Sequence, residues 1–174
     1  LLTHLLLDLL KASSPSRIVN LSSATHRRAE MDLGDVSEPR QYRVFRAYGR
    51  SKLANLIFTY KLARRLEGKG VTVNAVDPGF VATNLPANGN MRLGWLARPL
   101  LRGALGIVGR SVARGSGTVV HLATAPEVAE VTGGFFVDGQ EVCSSPASYD
   151  VLKAKGLRDL SCQLTGVPST DPPD

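Results

Sequence analysis

Few residues in this sequence are of the kinds that build disulfide scaffolds, metal sites or nucleic-acid surfaces. Two cysteines occur among 174 residues, Cys143 and Cys162, and neither lies in a Cys-x-x-Cys or Cys/His ligand spacing. The sequence therefore predicts no disulfide framework and no metal, and it indicates a reducing, cytoplasmic setting. Aromatic residues form 6% of the chain and do not alternate with basic ones, so no nucleic-acid partner is predicted although the net charge is +6.

The N-terminal apolar stretch is interrupted by polar residues, and one long segment of the chain has no acidic residue. The apolar stretch Leu1–Leu10 is interrupted by His4 and Asp8 and has no basic segment before it, so it predicts neither a signal peptide nor a membrane span. Acidic residues are absent between Asp77 and Glu127, whereas several arginines fall there. These are Arg92, Arg98, Arg102, Arg110 and Arg114. The local positive charge leaves open an anionic cofactor or a peripheral membrane contact.

The apolar residues that are present alternate between helical and strand patterns. With 43% hydrophobic residues, the chain can bury one core, and we expect one domain over 1–166 followed by a disordered tail over 167–174. The predicted elements are helix 1–11, strand 17–21, helix 45–66, strand 71–76, helix 111–124, strand 133–137 and helix 148–164. The first helix and strand are expected to be mostly buried, and residues 26–45 to form a long loop. The alternation predicts an α/β fold with a parallel sheet and helices on both faces.

Tyr48 and Lys52 are four residues apart on a predicted helix, so their side chains share one face. A phenol ordinarily titrates near pH 10, and an ammonium ion beside it favours the phenolate. Such a pair is suited to general acid–base catalysis. Tyr149 and Lys153 have the same spacing, but no serine-ended strand leads into them, and we expect both to be surface residues of the last helix.

Two predicted strands end in residues typical of a ligand-binding edge. Ser22 and Ser23 follow the first strand, and Pro78 and Gly79 follow the second. Ligands of open parallel sheets bind beyond the carboxyl ends of the strands, and the helix that carries Tyr48 begins at the same edge. Read alone, the serines are consistent with a capped turn and Pro78–Gly79 with a simple strand terminator. Together with Tyr48 they predict one site.

Three runs of residues carry a resemblance to a known family. Arg17–Ser23, Tyr48–Lys52 and Asn74–Thr83 resemble the short-chain dehydrogenase/reductase superfamily in order and spacing. Ser51–Asn55 and the opening Leu1–Thr3 resemble its retinol-dehydrogenase-like branch. The resemblance implies a Rossmann-like doubly wound sheet and an NAD(P)-dependent oxidoreductase that interconverts a carbonyl and an alcohol.

The resemblance also implies roles for individual residues. Tyr48 would exchange the proton with the substrate oxygen, Lys52 would hold the nicotinamide ribose and favour the phenolate, and Ser23 would hydrogen-bond the substrate oxygen. The residues implied to line the nicotinamide are Pro78, Gly79, Val81 and Thr83. The resemblance does not decide between NAD and NADP. It leaves the oligomeric state open with a homodimer as one option, because the helix with Tyr48 often pairs between subunits in this superfamily.

The Gly-rich dinucleotide fingerprint of that superfamily does not occur here. Gly68-Lys69-Gly70 ends a helix and precedes a strand, which is the wrong context. In the family the fingerprint lies upstream, so we expect this chain to be a C-terminal catalytic part without the N-terminal strands of the sheet. The alternative is a truncated, non-enzymatic remnant that lacks its dinucleotide-binding half.

Residues 91–102 alternate bulky apolar residues with arginines around Trp95 and Leu96. Because the family places the substrate cover after the Pro-Gly turn, the first hypothesis is an apolar lid over a lipophilic carbonyl or alcohol. A helix lying on an anionic membrane and a core-packing helix with solvated arginines are the alternatives.

Overall fold

The computed structural model describes residues 1–37, 42–79 and 112–168. The helices are α1 (Leu2–Ala12), α2 (Leu33–Ser37), α3 (Val44–Arg65), α4 (Val112–Thr124) and α5 (Val151–Thr165). The strands are β1 (Ser16–Leu21), β2 (Val71–Asp77), β3 (Phe135–Val137) and β4 (Gln140–Glu141). Short 3-10 turns span Ala24–Arg28, Pro126–Val128 and Pro146–Tyr149.

The four strands form one sheet in the order β1-β2-β3-β4. β1 pairs with β2 in parallel, from Ser16 opposite Val71 to Leu21 opposite Val76, and β2 pairs with β3 in parallel. This confirms the predicted parallel α/β sheet. β4, which was not predicted, returns antiparallel to β3 through Asp138 and Gly139, whose φ angles of 54° and 79° suit a tight two-residue hairpin.

Helices cover both faces of the sheet. On one face, α1 and α3 pack over alternate strand residues, including Ile18, Val73 and Ala75. On the other face, Leu122 of α4 packs against Val76. Consecutive strand residues point to opposite faces, which is why neighbouring residues of β2 contact different helices.

The expectation that the first helix and strand are mostly buried was wrong. Leu7 is the buried residue of α1, whereas Leu2 and Leu5 are 72% and 68% exposed. In β1 only Ile18 is buried. The physical reason is position, because β1 forms the edge of the described sheet and α1 reaches the core through a single stripe of its surface.

Two further boundaries differ from the prediction. The expected loop over 26–45 contains the end of a 3-10 turn and α2 before α3 begins. The last helix begins at Val151 rather than Ser148, because the Asp150 carboxylate accepts a hydrogen bond from the Lys153 N–H at 3.0 Å and caps the helix there. Tyr149 therefore precedes the helix on which it was predicted to lie.

Within the described ranges, no helix combines the length and the apolar character that crossing a membrane requires. The lid hypothesis for residues 91–102 and most of the predicted tail lie outside the described residues.

Candidate active site

The carboxyl ends of β1 and β2 lie side by side, because Leu21 is in register with Val76. The Ser22 N–H donates to the Val76 carbonyl at 2.8 Å and extends the pairing by one residue. Ser23 then continues with an extended backbone and becomes the N-cap of the 3-10 turn Ala24–Arg28. The predicted serine pair therefore marks the edge of the sheet at which β2 also ends.

The turn after β2 is shaped by Asp77 and Gly79. A carboxylate oxygen of Asp77 accepts a hydrogen bond from the Gly79 N–H at 2.8 Å, and Gly79 has a φ of 74°. This left-handed conformation favours glycine. Pro78 and Gly79 thus turn the chain away from the sheet at the predicted edge, whereas Val81 and Thr83 lie outside the described residues.

A close helix approach brings Tyr48 to this edge. A Cβ atom built on Gly49 would lie 3.0 Å from the Thr25 carbonyl oxygen, so the absent side chain lets α3 contact the turn that begins at Ser23. Tyr48 is the preceding residue on α3 and is half-buried. The structure therefore places the helix turn carrying Tyr48 against the segment carrying Ser23.

Lys52 is held one helical turn further along. Its Nζ lies 5.3 Å from the centre of the Tyr48 ring and 3.5 Å from the Leu21 carbonyl oxygen. The Ser22 hydroxyl donates to the Lys52 carbonyl at 3.0 Å. The predicted Tyr48–Lys52 pair is therefore brought together, and β1 fixes its position through both a side chain and a main-chain group.

Burial and one neighbouring charge set the electrostatics of Lys52. Burial lowers the pKa of the Lys52 ammonium below its ordinary value, and the negative charge of Asp77 opposes this effect. The Asp77 side chain is itself buried, at 6% exposure. A partly dehydrated ammonium interacts more strongly with an anion or a hydroxyl than a fully solvated one does.

Sequence reasoning missed Asn55 and His26. The Asn55 amide donates to the Leu21 carbonyl at 2.8 Å, so it shares this acceptor with Lys52. His26 is fully buried, and both of its ring nitrogens make hydrogen bonds. Asn55 lies three residues after Lys52 on the same helix face, a spacing that could have indicated it, but no sequence pattern indicates the second partner of His26.

The second Tyr-x-x-x-Lys pair is built differently. The Tyr149 ring stacks on the Tyr60 ring with centroids 4.8 Å apart, and its hydroxyl accepts from the Ser144 N–H at 3.3 Å. Lys153 lies beyond the helix cap, with its Nζ 4.0 Å from Asp150. Tyr149 was predicted to be a surface helix residue; it is 47% exposed but serves as a packing residue of a turn.

Metal chemistry has no candidate centre in the parts of the chain that the structure describes, where no group of three or more His, Cys, Asp or Glu side chains converges. The site consists instead of a phenol, an ammonium and hydroxyls at the carboxyl edge of a parallel sheet. This arrangement defines the class as an α/β protein with proton-exchanging side chains at the carboxyl edge of its parallel sheet.

Comparison with known proteins identifies the family. The model of the family described as short chain dehydrogenase matches residues 1–92. The match covers more than half of the chain and includes Ser23, Tyr48, Lys52, Pro78 and Gly79. The chain therefore belongs to the short-chain dehydrogenase family.

Individual relatives agree with the resemblance to the retinol-dehydrogenase-like branch. The chain is 42% identical to retinol dehydrogenase 14 of Mus musculus over 96% of this chain and 49% of that protein. It is 38% identical to retinol dehydrogenase 13 of Homo sapiens over 96% of this chain and 51% of that protein. The chain thus spans about half the length of the curated relatives that it matches.

A solved structure confirms the fold class. The crystal structure of an uncharacterized protein from Mycobacterium paratuberculosis superposes with a TM-score of 0.59 at 29% identity. The match covers 87% of this chain and 50% of the other.

Proposed function

We propose that this chain forms the catalytic part of an NAD(P)-dependent oxidoreductase that interconverts a carbonyl and an alcohol. The observation that carries the proposal is the Lys52 ammonium 5.3 Å from the Tyr48 ring at the carboxyl ends of β1 and β2. Membership of the short-chain dehydrogenase family supports it. No other described cluster combines a proton-exchanging group with the ligand-binding edge of the sheet.

The described residues suit the nicotinamide end of the cofactor. Lys52 presents an ammonium with one long hydrogen bond, which leaves donors for ribose hydroxyls. Gly79 has no side chain to obstruct a flat ring, and Pro78 beside it is only half-buried. Val81 and Thr83 complete the proposed lining on the strength of the resemblance. In the bound state, the reduced nicotinamide supplies a hydride to the carbonyl carbon.

The chain's own residues would handle the proton. In reduction, the Tyr48 hydroxyl donates its proton to the carbonyl oxygen as that oxygen gains negative charge, and in oxidation the phenolate accepts the proton from the alcohol. The Ser23 hydroxyl donates a hydrogen bond to the same oxygen and orients it. The Lys52 Nζ, 5.3 Å from the centre of the Tyr48 ring, places a positive charge beside the phenol.

The proposed substrate is a lipophilic carbonyl or alcohol. The relatives named retinol dehydrogenase support this class, since their names denote a long apolar alcohol. Moving the hydrocarbon part of an apolar alcohol from water into a protein site lowers the free energy of the system and so favours binding. Retinaldehyde and retinol are therefore the first probes, with a short aldehyde for comparison.

The decisive experiment replaces Tyr48 with phenylalanine in the complete protein that carries this catalytic part, and measures reduction of retinaldehyde with NADH and NADPH. We expect kcat to fall about 100- to 10,000-fold, the usual contribution of a general acid, while the thermal unfolding midpoint is unchanged. Tyr42, whose side chain is 71% exposed, provides the matched Tyr→Phe control. Near-normal turnover of Tyr48→Phe, or no turnover by the unaltered protein, would reject this function and favour the non-enzymatic remnant.

A further inference from the structure

One buried histidine ring connects the turn that begins at Ser23 to a distant part of the chain, beside an exposed hydrogen bond from Arg27 to the Cys143 carbonyl at 2.7 Å. His26 Nδ1 lies 2.6 Å from the Ser23 carbonyl oxygen, and His26 Nε2 lies 3.2 Å from the Ser145 backbone nitrogen. The second partner, Ser145, lies 119 residues from His26 along the chain. The ring is fully buried and packs edge-on against Phe135 at a centroid distance of 5.2 Å.

The two partners decide which ring nitrogen carries the hydrogen. A backbone carbonyl can only accept a hydrogen bond, so Nδ1 must donate to Ser23. A backbone N–H can only donate, so Nε2 must accept from Ser145. Both bonds are therefore made by the neutral Nδ1–H tautomer. Burial is the largest effect and lowers the pKa of His26, as does the charge of Arg27, whereas the hydrogen bond to the Ser23 carbonyl and the charge of Asp77 raise it; the net effect is a lowered pKa that favours the neutral ring.

We infer that His26 is a positioning residue for Ser23. Its ring links the Ser23 carbonyl to the Ser145 backbone nitrogen, and this link holds the substrate-binding hydroxyl of Ser23 in place. The inference rests on the proposed function. On one side of the turn, α3 contacts Thr25 through Gly49. On the other side, the ring of His26 is the buried connection, so the turn is fixed between the Tyr48 helix and the chain that follows β4.

The two hydrogen bonds of the His26 ring can be removed separately. In His26→Asn the side-chain amide nitrogen occupies the place of Nδ1 and still donates to Ser23, but nothing accepts from Ser145. In His26→Gln the amide oxygen reaches the place of Nε2 and accepts from Ser145, but the donor to Ser23 is lost. His26→Phe removes both bonds and keeps a flat ring.

The test measures kcat and KM for retinaldehyde reduction by these three variants, with Tyr48→Phe as the inactive reference. A displacement of a catalytic group by about 1 Å costs up to about 100-fold in rate. We expect kcat to fall about 10- to 100-fold in His26→Phe and His26→Gln, with KM for NAD(P)H unchanged. His26→Asn, which keeps the contact with Ser23, should recover most of that kcat. His121→Gln, at a half-buried position of α4 away from the Ser23 turn, is the matched control.

The outcomes separate the two proposals. If His26→Asn and His26→Gln lose kcat equally, or only in proportion to their folded fraction, His26 supports the fold and does not position Ser23. The comparison of His26→Asn with His26→Gln tests the positioning role even where His26→Phe fails to fold. Inactivity of the unaltered protein would reject the proposed function, and this inference would fall with it. Full kcat in all His26 variants, with Tyr48→Phe inactive, would overturn the inference alone.

Discussion

Tyr48–Lys52 and Tyr149–Lys153 share one spacing but occupy different kinds of structure. The first pair lies on α3, where the Lys52 Nζ faces the Tyr48 ring at 5.3 Å. In the second, a capping residue separates the tyrosine from the helix of its lysine, and the ring stacks on Tyr60 instead. Spacing brings two side chains together only where the helix runs through both, so the start of a helix decides whether such a motif forms.

The largest expected difference between the pairs concerns their lysines. Lys52→Met removes the ammonium that faces the sheet edge, and a hydrogen bond to a charged group contributes about 1.5–3 kcal/mol. We therefore expect the Kd for NADPH, measured by fluorescence titration, to rise about 10- to 100-fold, a factor converted from that energy. Lys153→Met removes only a long contact with Asp150 and should leave the Kd unchanged. An equal rise of the Kd in Lys52→Met and Lys153→Met would contradict a special role of the Tyr48–Lys52 pair.

The glycines beside the two pairs should also respond differently. An added Cβ at Gly49 meets the Thr25 backbone oxygen at 3.0 Å, whereas at Gly156 it meets the flexible end of the Leu33 side chain. Overpacking costs about 1–3 kcal/mol, while Gly→Ala in a helix gains about 1 kcal/mol. Gly49→Ala should therefore lose up to about 2 kcal/mol of unfolding free energy, and some kcat.

Gly156→Ala is the comparison for that experiment. Because the Leu33 side chain can rotate away, we expect a change within about 1 kcal/mol, with kcat unaffected. Urea denaturation of both variants measures the difference. A larger loss in Gly156→Ala would show that α3 does not depend on its close approach to the turn.

Low pH should weaken the connection that His26 makes between the turn at Ser23 and the segment around Ser145. The folded-state pKa of His26 lies below its ordinary value of 6.5, so the folded protein binds fewer protons there than the unfolded chain. This contribution to stability is fully present above pH 6.5 and is lost as pH falls from 6.5 through the folded-state value. Unfolding free energy measured from pH 7.5 to 5 should decline more steeply for the unaltered protein than for His26→Asn. Parallel pH profiles would contradict a buried neutral ring.

The smallest effect is expected for Tyr149→Phe. The substitution keeps the stacked ring but removes the acceptor for the Ser144 N–H. A hydrogen bond contributes about 0.5–1.5 kcal/mol, and we expect a loss near the lower end because Tyr149 is 47% exposed. Thermal unfolding measures this loss, and kcat should not change. A fall in kcat as large as that of Tyr48→Phe would contradict the assignment of Tyr149 as a packing residue.

Local pattern was sufficient for the main helices and strands, although not for α2 and β4. The strand preceding Ser22, the helix from Val44 and the strand ending before Pro78 were all predictable, because apolar periodicity and glycine punctuation act over a few residues. Since the carboxyl ends of parallel strands share an edge, these elements also implied that Ser23, Tyr48 and Gly79 approach one another.

The sequence by itself determined the order of the main helices and strands, and it indicated the residues for which we propose a catalytic role. Only the tertiary structure decided that the outer leucines of α1 are exposed, that Tyr149 packs on Tyr60, and that His26 joins Ser23 to Ser145. Burial and hydrogen-bond partners depend on segments far apart in the chain. No periodicity around His26 can specify a backbone N–H that arrives from 119 residues away.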